Sequence, residues 1–279
     1  MNLIVVPILS KCLPKMKTLK LVLILQLLFL SLYVASGADV PASGKWLDPQ
    51  KQSQWLEQIE PMRALKDYDP YEIGAVLQVQ KTVSPDDLKR ALGEAVNLRN
   101  CLNKFQPELG FDPAPLKNTI AFFLEIYDES DAVVKAAKNK GGTKDHPARN
   151  RPFVEDSRVQ CLDTPDNASY LRLNSSFPSG HSMEGMLCSL ILCDVLAECP
   201  SIKDSYPSYR AAVLKHGCQF GDDRVLLGVH YPSDVIAGRT LAIVLYNQIK
   251  SNPLYSKTVK SLAMDEMDPA LKLATAKSK

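Results

Sequence analysis

Three short segments set cations, imidazoles and a carboxylate at fixed local spacings: KDHPARNRP from Lys144, PSGH from Pro178 and DRVLLGVHYPSD from Asp223. In the first, Lys144 and Arg151 are seven residues apart, so on a helix they point the same way and could close on one phosphate. Thr143 would cap that helix with Pro147 in its first turn, where a missing N–H is not needed, and Pro152 would end it. In the second, Pro178-Ser179-Gly180 opens an apolar stretch, and a helix beginning there offers an anion free N–H groups and a positive dipole end. Gly180 lets backbone approach the ligand, Ser179 adds a hydroxyl donor, and His181 stands where it could protonate a departing oxygen. In the third, Asp234 follows His230 by four residues, close enough to accept from one ring nitrogen and leave the other free to attack.

Each segment has a bland alternative: a solvated basic turn, a plain Ser179 cap with His181 on the surface, and a first-turn helix carboxylate at Asp234. Together the patterns K-x6-R-P, P-S-G-H and R-x5-H-x3-D fix ten positions, a chance match on the order of one in ten million at average residue usage. Lys144, Arg151, Arg224 and the Gly180 amide can then neutralise the oxygens of a transferring phosphoryl group while His181 and His230 divide acid and nucleophile duties. No metal or other cofactor is required, because the cations do what a divalent ion would do and no Asp/His/Cys set has ligand spacing. His146 and His216 read as structural or surface residues.

Helices must carry these groups. Ser84-Pro85-Asp86-Asp87 is a helix start with a cap, an N1 proline and first-turn carboxylates, and LKRALGEAVNLRNCL continues it at helical period. A second helix is predicted over residues 116 to about 139, with Ile120, Phe123, Leu124 and Ile126 toward the core and Gly141-Gly142 as its stop. Residues 183–196 and 235–249 are apolar almost all round and predict buried central helices. Glu184, Asp194 and Arg239, with their short lengths, argue against membrane spans. No period-two alternation appears, so the fold class is all-α, one compact helical bundle. The expected organisation is a signal peptide over 1–37, an irregular arm over 38–82 with a short amphipathic piece near 54–59, a catalytic helical domain over 83–250, and a tail over 251–279 that is a charged helix or a disordered end.

Of the 279 residues 46% are apolar, enough for a full core. Lys and Arg number 33 against 31 Asp and Glu, so net charge points to neither a nucleic-acid nor an acidic-membrane partner. Met16-Lys-Thr-Leu-Lys20, the apolar run 21–34 and Ala35-Ser-Gly37 form a signal peptide cleaved after Gly37, or alternatively an uncleaved anchor. Export would leave six cysteines in an oxidising compartment, with Cys199 and Cys218 as the favoured pair and Cys188 and Cys193 as possible buried thiols. Asn167-Ala-Ser and Asn174-Ser-Ser are sequons.

KDHxxRxRPF, SSFPSGHS and GDDRVLLGVHYPSDVIAGR resemble the signature of the phosphatidic acid phosphatase type 2 superfamily, and are most similar to its secreted branch, the class A nonspecific acid phosphatases. The resemblance runs from about residue 116 to 249. It implies an all-α fold of the acid phosphatase and vanadium haloperoxidase type, secretion to the medium or periplasm, and metal-independent hydrolysis of small phosphomonoesters at acidic pH, with no nucleic-acid partner and no integral membrane segment in the mature chain. By position it implies His230 as a nucleophile forming a phosphohistidine, Asp234 as its orienting partner and His181 as the acid that later activates water. Lys144, Arg151, Ser179, Gly180 and Arg224 would hold the phosphate. Two residues depart from the pattern: Asp223 replaces the usual Ser and puts the grip of Arg224 in question, and Pro147 stands where an aromatic is common. A vanadium-dependent haloperoxidase shares the signature, and a secreted phosphate binder disabled by Asp223 is a third reading.

Overall fold

The computed structural model describes residues 45–65, 69–94, 101–140 and 148–277. The expectations for the signal peptide, Thr143, Lys144, His146, Pro147 and the Gly141-Gly142 stop lie outside the described residues. Every regular element among those described is helical, as the sequence predicts. Those of eight residues or more are α1 (Asp69–Lys81), α2 (Pro85–Glu94), α3 (Lys117–Asn139), α4 (Pro165–Arg172), α5 (Gly180–Ala197), α6 (Tyr206–Leu226), α7 (Pro232–Lys250), α8 (Tyr255–Leu262) and α9 (Asp268–Lys277).

The two apolar segments become α5 and α7, and α5 lies at the centre with α6 and α7 packed along it. Met183, Leu187, Ile191, Leu192, Val195 and Leu196 of α5 meet Val213 and Phe220 of α6 and Leu241, Leu245 and Ile249 of α7 in one core. By length and composition α5 could cross a membrane, but 67% of it is buried inside the protein, where its all-round apolarity is used against other helices. Helix α2 has the expected cap: Ser84 Oγ accepts from Asp87 N at 3.1 Å and donates to Asp87 Oδ2 at 2.6 Å. In α3, Phe123 and Ile126 are buried, while Ile120 and Leu124 are only partly so.

Three expectations are corrected. The described part of the supposed irregular arm is helical, because Trp55, Leu56, Ile59 and Met62 recur at helical spacing and join the main core, while Ile73 and Val76 of α1 join a second cluster with Val229 and Tyr231. The polar stretch between Cys199 and Cys218 is mostly the long helix α6, and the two cysteines are not bridged: Cys199 is turned inward with its Sγ 3.4 Å from Val195 O. The close pair of sulfurs is instead Cys101 and Cys188, 2.7 Å apart and both buried. No helix reaches Arg151, which is extended at φ −78° and ψ 152°, and Pro152 starts the short turn Pro152–Glu155 rather than ending a helix. A residue before proline is driven to extended backbone, and proline suits a first helical position. Of the two alternatives for the tail, the described residues take the helix, with Tyr255, Val259, Leu262, Met267 and Leu271 in the core.

Candidate active site at two helix N-termini

The N-termini of α5 and α7 are tied together. Ser179 caps α5 by accepting from Ser182 N at 3.3 Å, and its own N–H donates to Asp234 O at 3.0 Å. Ser182 Oγ donates to Val235 O at 2.7 Å. This approach needs Gly238, where a Cβ would collide with Ser179 O and Ser182 Cβ. At Gly180, by contrast, a Cβ would make only ordinary contact with Val134, so packing within the protein does not demand glycine there. Helix α6 ends at Leu226, and Gly228, at φ +75°, turns the chain so that Val229 and His230 donate their N–H groups back to Arg224 O.

His230 is buried between an anion and a cation. Its Nδ1 is 3.2 Å from Asp234 Oδ2, and its Nε2 is 2.7 Å from Arg151 Nη1. A guanidinium only donates, so Nε2 accepts and the proton sits on Nδ1, facing the carboxylate. Burial, followed by the charges of Arg151, Lys138, Arg224 and His181, pushes the imidazole well below its usual range. The ring is therefore neutral, with its lone pair on Nε2. Asp234 is fixed in turn by the Tyr231 N–H, which donates to Oδ2 at 2.9 Å.

The surrounding cations are buried and under-compensated. Arg151 donates to Asn174 O at 3.1 Å and Val229 O at 2.9 Å, and burial pushes its guanidinium down to about 10, with Arg224 adding repulsion and Asp234 opposing the shift. Arg224 is 1% exposed; its Nη2 donates to Asp163 Oδ2 at 2.8 Å, while Nε and Nη1 are buried without a hydrogen-bond partner. Burial lowers its pKa as well. Lys138, in the last turn of α3, donates to Ser175 O at 3.0 Å and Pro178 O at 2.7 Å, and burial pulls its amine well down. Asp223 faces elsewhere: Arg90 of α2 takes its carboxylate in a fork at 2.9 and 3.3 Å, leaving Asp163 as the partner of Arg224.

Arg151, Ser179, Gly180, Arg224, His230 and Asp234 are thus gathered at the two helix starts, and half-buried His181, second residue of α5, is an electrostatic neighbour of His230. Lys144 lies outside the described residues. Sequence reasoning missed Lys138, Arg149 and Asp163. The signal for Lys138 was a lysine one turn after buried Val134 on the same stripe of α3. Arg149 was visible only as a second arginine beside Arg151, and Asp163 is a loop residue without a local signal. His216, read as structural or surface, is buried against Phe105 and Phe220, with Nδ1 2.8 Å from Glu108.

The chain is 32% identical over 116 residues to a non-specific acid phosphatase of Salmonella typhimurium, covering 42% of each protein. It is 32% identical over 141 residues to a non-specific acid phosphatase of Providencia stuartii, covering 50% of this chain and 49% of the relative. With an acid phosphatase of Zymomonas mobilis it shares 33% identity over 102 residues, 37% of this chain and 34% of that one. The matches therefore span less than half the length of each of these relatives. The PAP2 superfamily matches residues 131–253, the stretch holding every described cation of the cluster and both site histidines. Over residues 131–253, under half of its length, the chain is similar to the PAP2 superfamily.

Proposed function

We propose that the protein is a metal-independent acid phosphatase that hydrolyses small phosphomonoesters through a phosphohistidine at His230. The observation that supports this most is a neutral buried imidazole whose acceptor nitrogen faces buried Arg151, with Arg224 holding two unpartnered donors in the same cluster. A phosphoryl group supplies the missing negative charge and takes over the Arg151 donor, which releases the Nε2 lone pair. His230 Nε2 then attacks phosphorus as the ester P–O bond breaks, and His181 gives its proton to the leaving alkoxide. The phosphorylated ring keeps its Nδ1 proton, and Asp234 faces the positive charge that results. In the second half His181 takes a proton from water, the resulting hydroxide attacks phosphorus, and the N–P bond breaks to release inorganic phosphate and neutral His230. Ser179, the Gly180 amide and Lys144 complete the phosphate's hydrogen bonds in this reading. Work at acidic pH fits a histidine that stays unprotonated below its ordinary range. Removal of residues 1–37 as a signal peptide would place the enzyme in the medium or periplasm.

Phosphate release from p-nitrophenyl phosphate, measured from acidic to neutral pH with EDTA present, tests the proposal. Chelator-resistant turnover that peaks in acid, is inhibited by vanadate and disappears in His230→Ala is expected. No turnover by the folded wild type overturns it, and bromide oxidation after vanadate loading would assign the site to haloperoxidase chemistry instead.

A further inference from the structure

Arg149 is buried beside the site yet is spent entirely on protein groups. Its Nη1 donates to Asp234 Oδ1 at 2.7 Å and to Ser233 Oγ at 2.8 Å. Its Nη2 donates to Asp69 and, at 2.6 Å, to Glu72, and the guanidinium lies 4.1 Å over the Tyr231 ring. Glu72 closes the ring by accepting from Ser233 N at 2.8 Å and Ser233 Oγ at 2.6 Å. One cation therefore sits among three carboxylates, two of them brought by α1. The Asp234 carboxylate is divided: Oδ1 belongs to Arg149, while Oδ2 takes the Tyr231 N–H and faces His230 Nδ1.

We infer that Arg149 is a positioning residue for the proposed phosphatase reaction: anchored by Asp69 and Glu72 of α1, it pins one oxygen of Asp234 so that the other stays aimed at His230 Nδ1. It does not hold phosphate, because its donors are already committed. Without it, the carboxylate can rotate and turn toward the remaining cations Arg151, Arg224 and Lys138, and the Nδ1–H tautomer that leaves Nε2 free to attack is no longer fixed. The inference rests on the phosphatase reading; it gives Arg149 a role and adds to the site a helix, α1, that lies outside the signature segments.

A double-mutant cycle with p-nitrophenyl phosphate tests it, using the full chain with Arg149→Met, Asp234→Asn and both changes, and Arg149→Lys as a milder variant that keeps the charge and loses the fork. In Arg149→Met, kcat falls about 10–100-fold, the range typical of a histidine's outer-shell partner, while KM and the inhibition constant of inorganic phosphate move less than about threefold. Arg149→Lys shows the same split at smaller amplitude. The double variant is no slower than Asp234→Asn alone, because both changes remove one function. Losses that multiply, an unchanged kcat, or a rise in KM as large as the loss of kcat would overturn the inference. If Arg149→Met does not fold, the same cycle run with Arg149→Lys decides it. A folded wild type without turnover removes the phosphatase reading and this inference with it, whereas an active wild type with a multiplicative cycle removes the inference alone.

Discussion

Arg149 and Arg151 are two residues apart and both about 96% buried, yet they live in opposite surroundings. Around Arg149, three carboxylates hold the guanidinium above its usual range despite burial. Around Arg151, the described partners are carbonyls and an imidazole, Arg224 repels it, and burial wins. Burial of charge therefore does not by itself mark a site in this protein. The mark is charge the protein leaves uncompensated, and the excess here is positive. Glu184 in α5 shows why the residue type matters. It too is buried, with Oε2 unpartnered, but a carboxyl escapes by taking a proton, and burial pushes it well up. Arginine has no such exit at any working pH, so its unmet charge persists until an anion arrives.

The largest expected effect separates the two arginines. Arg151→Met should lower kcat/KM by about 10²–10³-fold, the range for one lost donor to a transition-state oxyanion, and should not lower Tm, because it removes an uncompensated cation. Arg149→Met should instead cost about 3–5 kcal/mol of stability, the penalty for breaking a buried pair and stranding its partners. Equal Tm losses in parallel thermal melts would break the comparison. Next in size, inorganic phosphate at a hundred times its Kd should stabilise the wild type by about 2.7 kcal/mol and the Arg151 variant by much less, as read from the ligand-dependent shift in Tm.

Glu184→Gln sharpens the contrast through pH. The folded-state pKa is raised well above the ordinary 4.5, so well below that value both states hold the proton and the group costs nothing differential. As pH rises past it, the unfolded chain ionises while the fold keeps the proton, and wild-type stability is lost. Glu184→Gln should therefore raise Tm near neutral pH and match the wild type in acid; a difference that does not change with pH would refute this. The smallest effect belongs to Asp223→Ser. Because Asp223 takes its fork from Arg90 rather than from Arg224, KM should stay within about twofold. A large fall in KM would mean that Asp223 does weaken the phosphate grip.

What was legible in the sequence follows from how local each constraint is. The starts of α5 and α7, the Ser84 cap and the His230–Asp234 spacing are fixed within one helical turn, and the structure shows them where the spacing put them. The all-α class followed from apolar periodicity alone. The helix through Arg151 was misread because seven-residue spacing outweighed the effect of Pro152 on the residue before it. Asp163, Asp69 and Glu72 were invisible because each meets its arginine across 61 to 80 residues of chain, and nothing in a neighbouring residue announces a long-range partner. The N-terminal segment reads as an arm because its first helices are short and its tryptophans and prolines obscure the periodicity.

Helix α1 lies wholly outside the superfamily match, yet it delivers two of the three carboxylates around Arg149, and Gln80 from the same helix donates to Gln160 O and Leu226 O. The stretch recognisable by similarity is thus smaller than the stretch that works as a physical unit. A fragment trimmed to 131–253 would carry both site histidines and would also carry a guanidinium stripped of its counter-charges, beside a Tyr231 cluster that has lost Ile73 and Val76. Recombining this protein with a relative, or cutting it down for expression, should therefore move α1 together with the matched segment as one cassette.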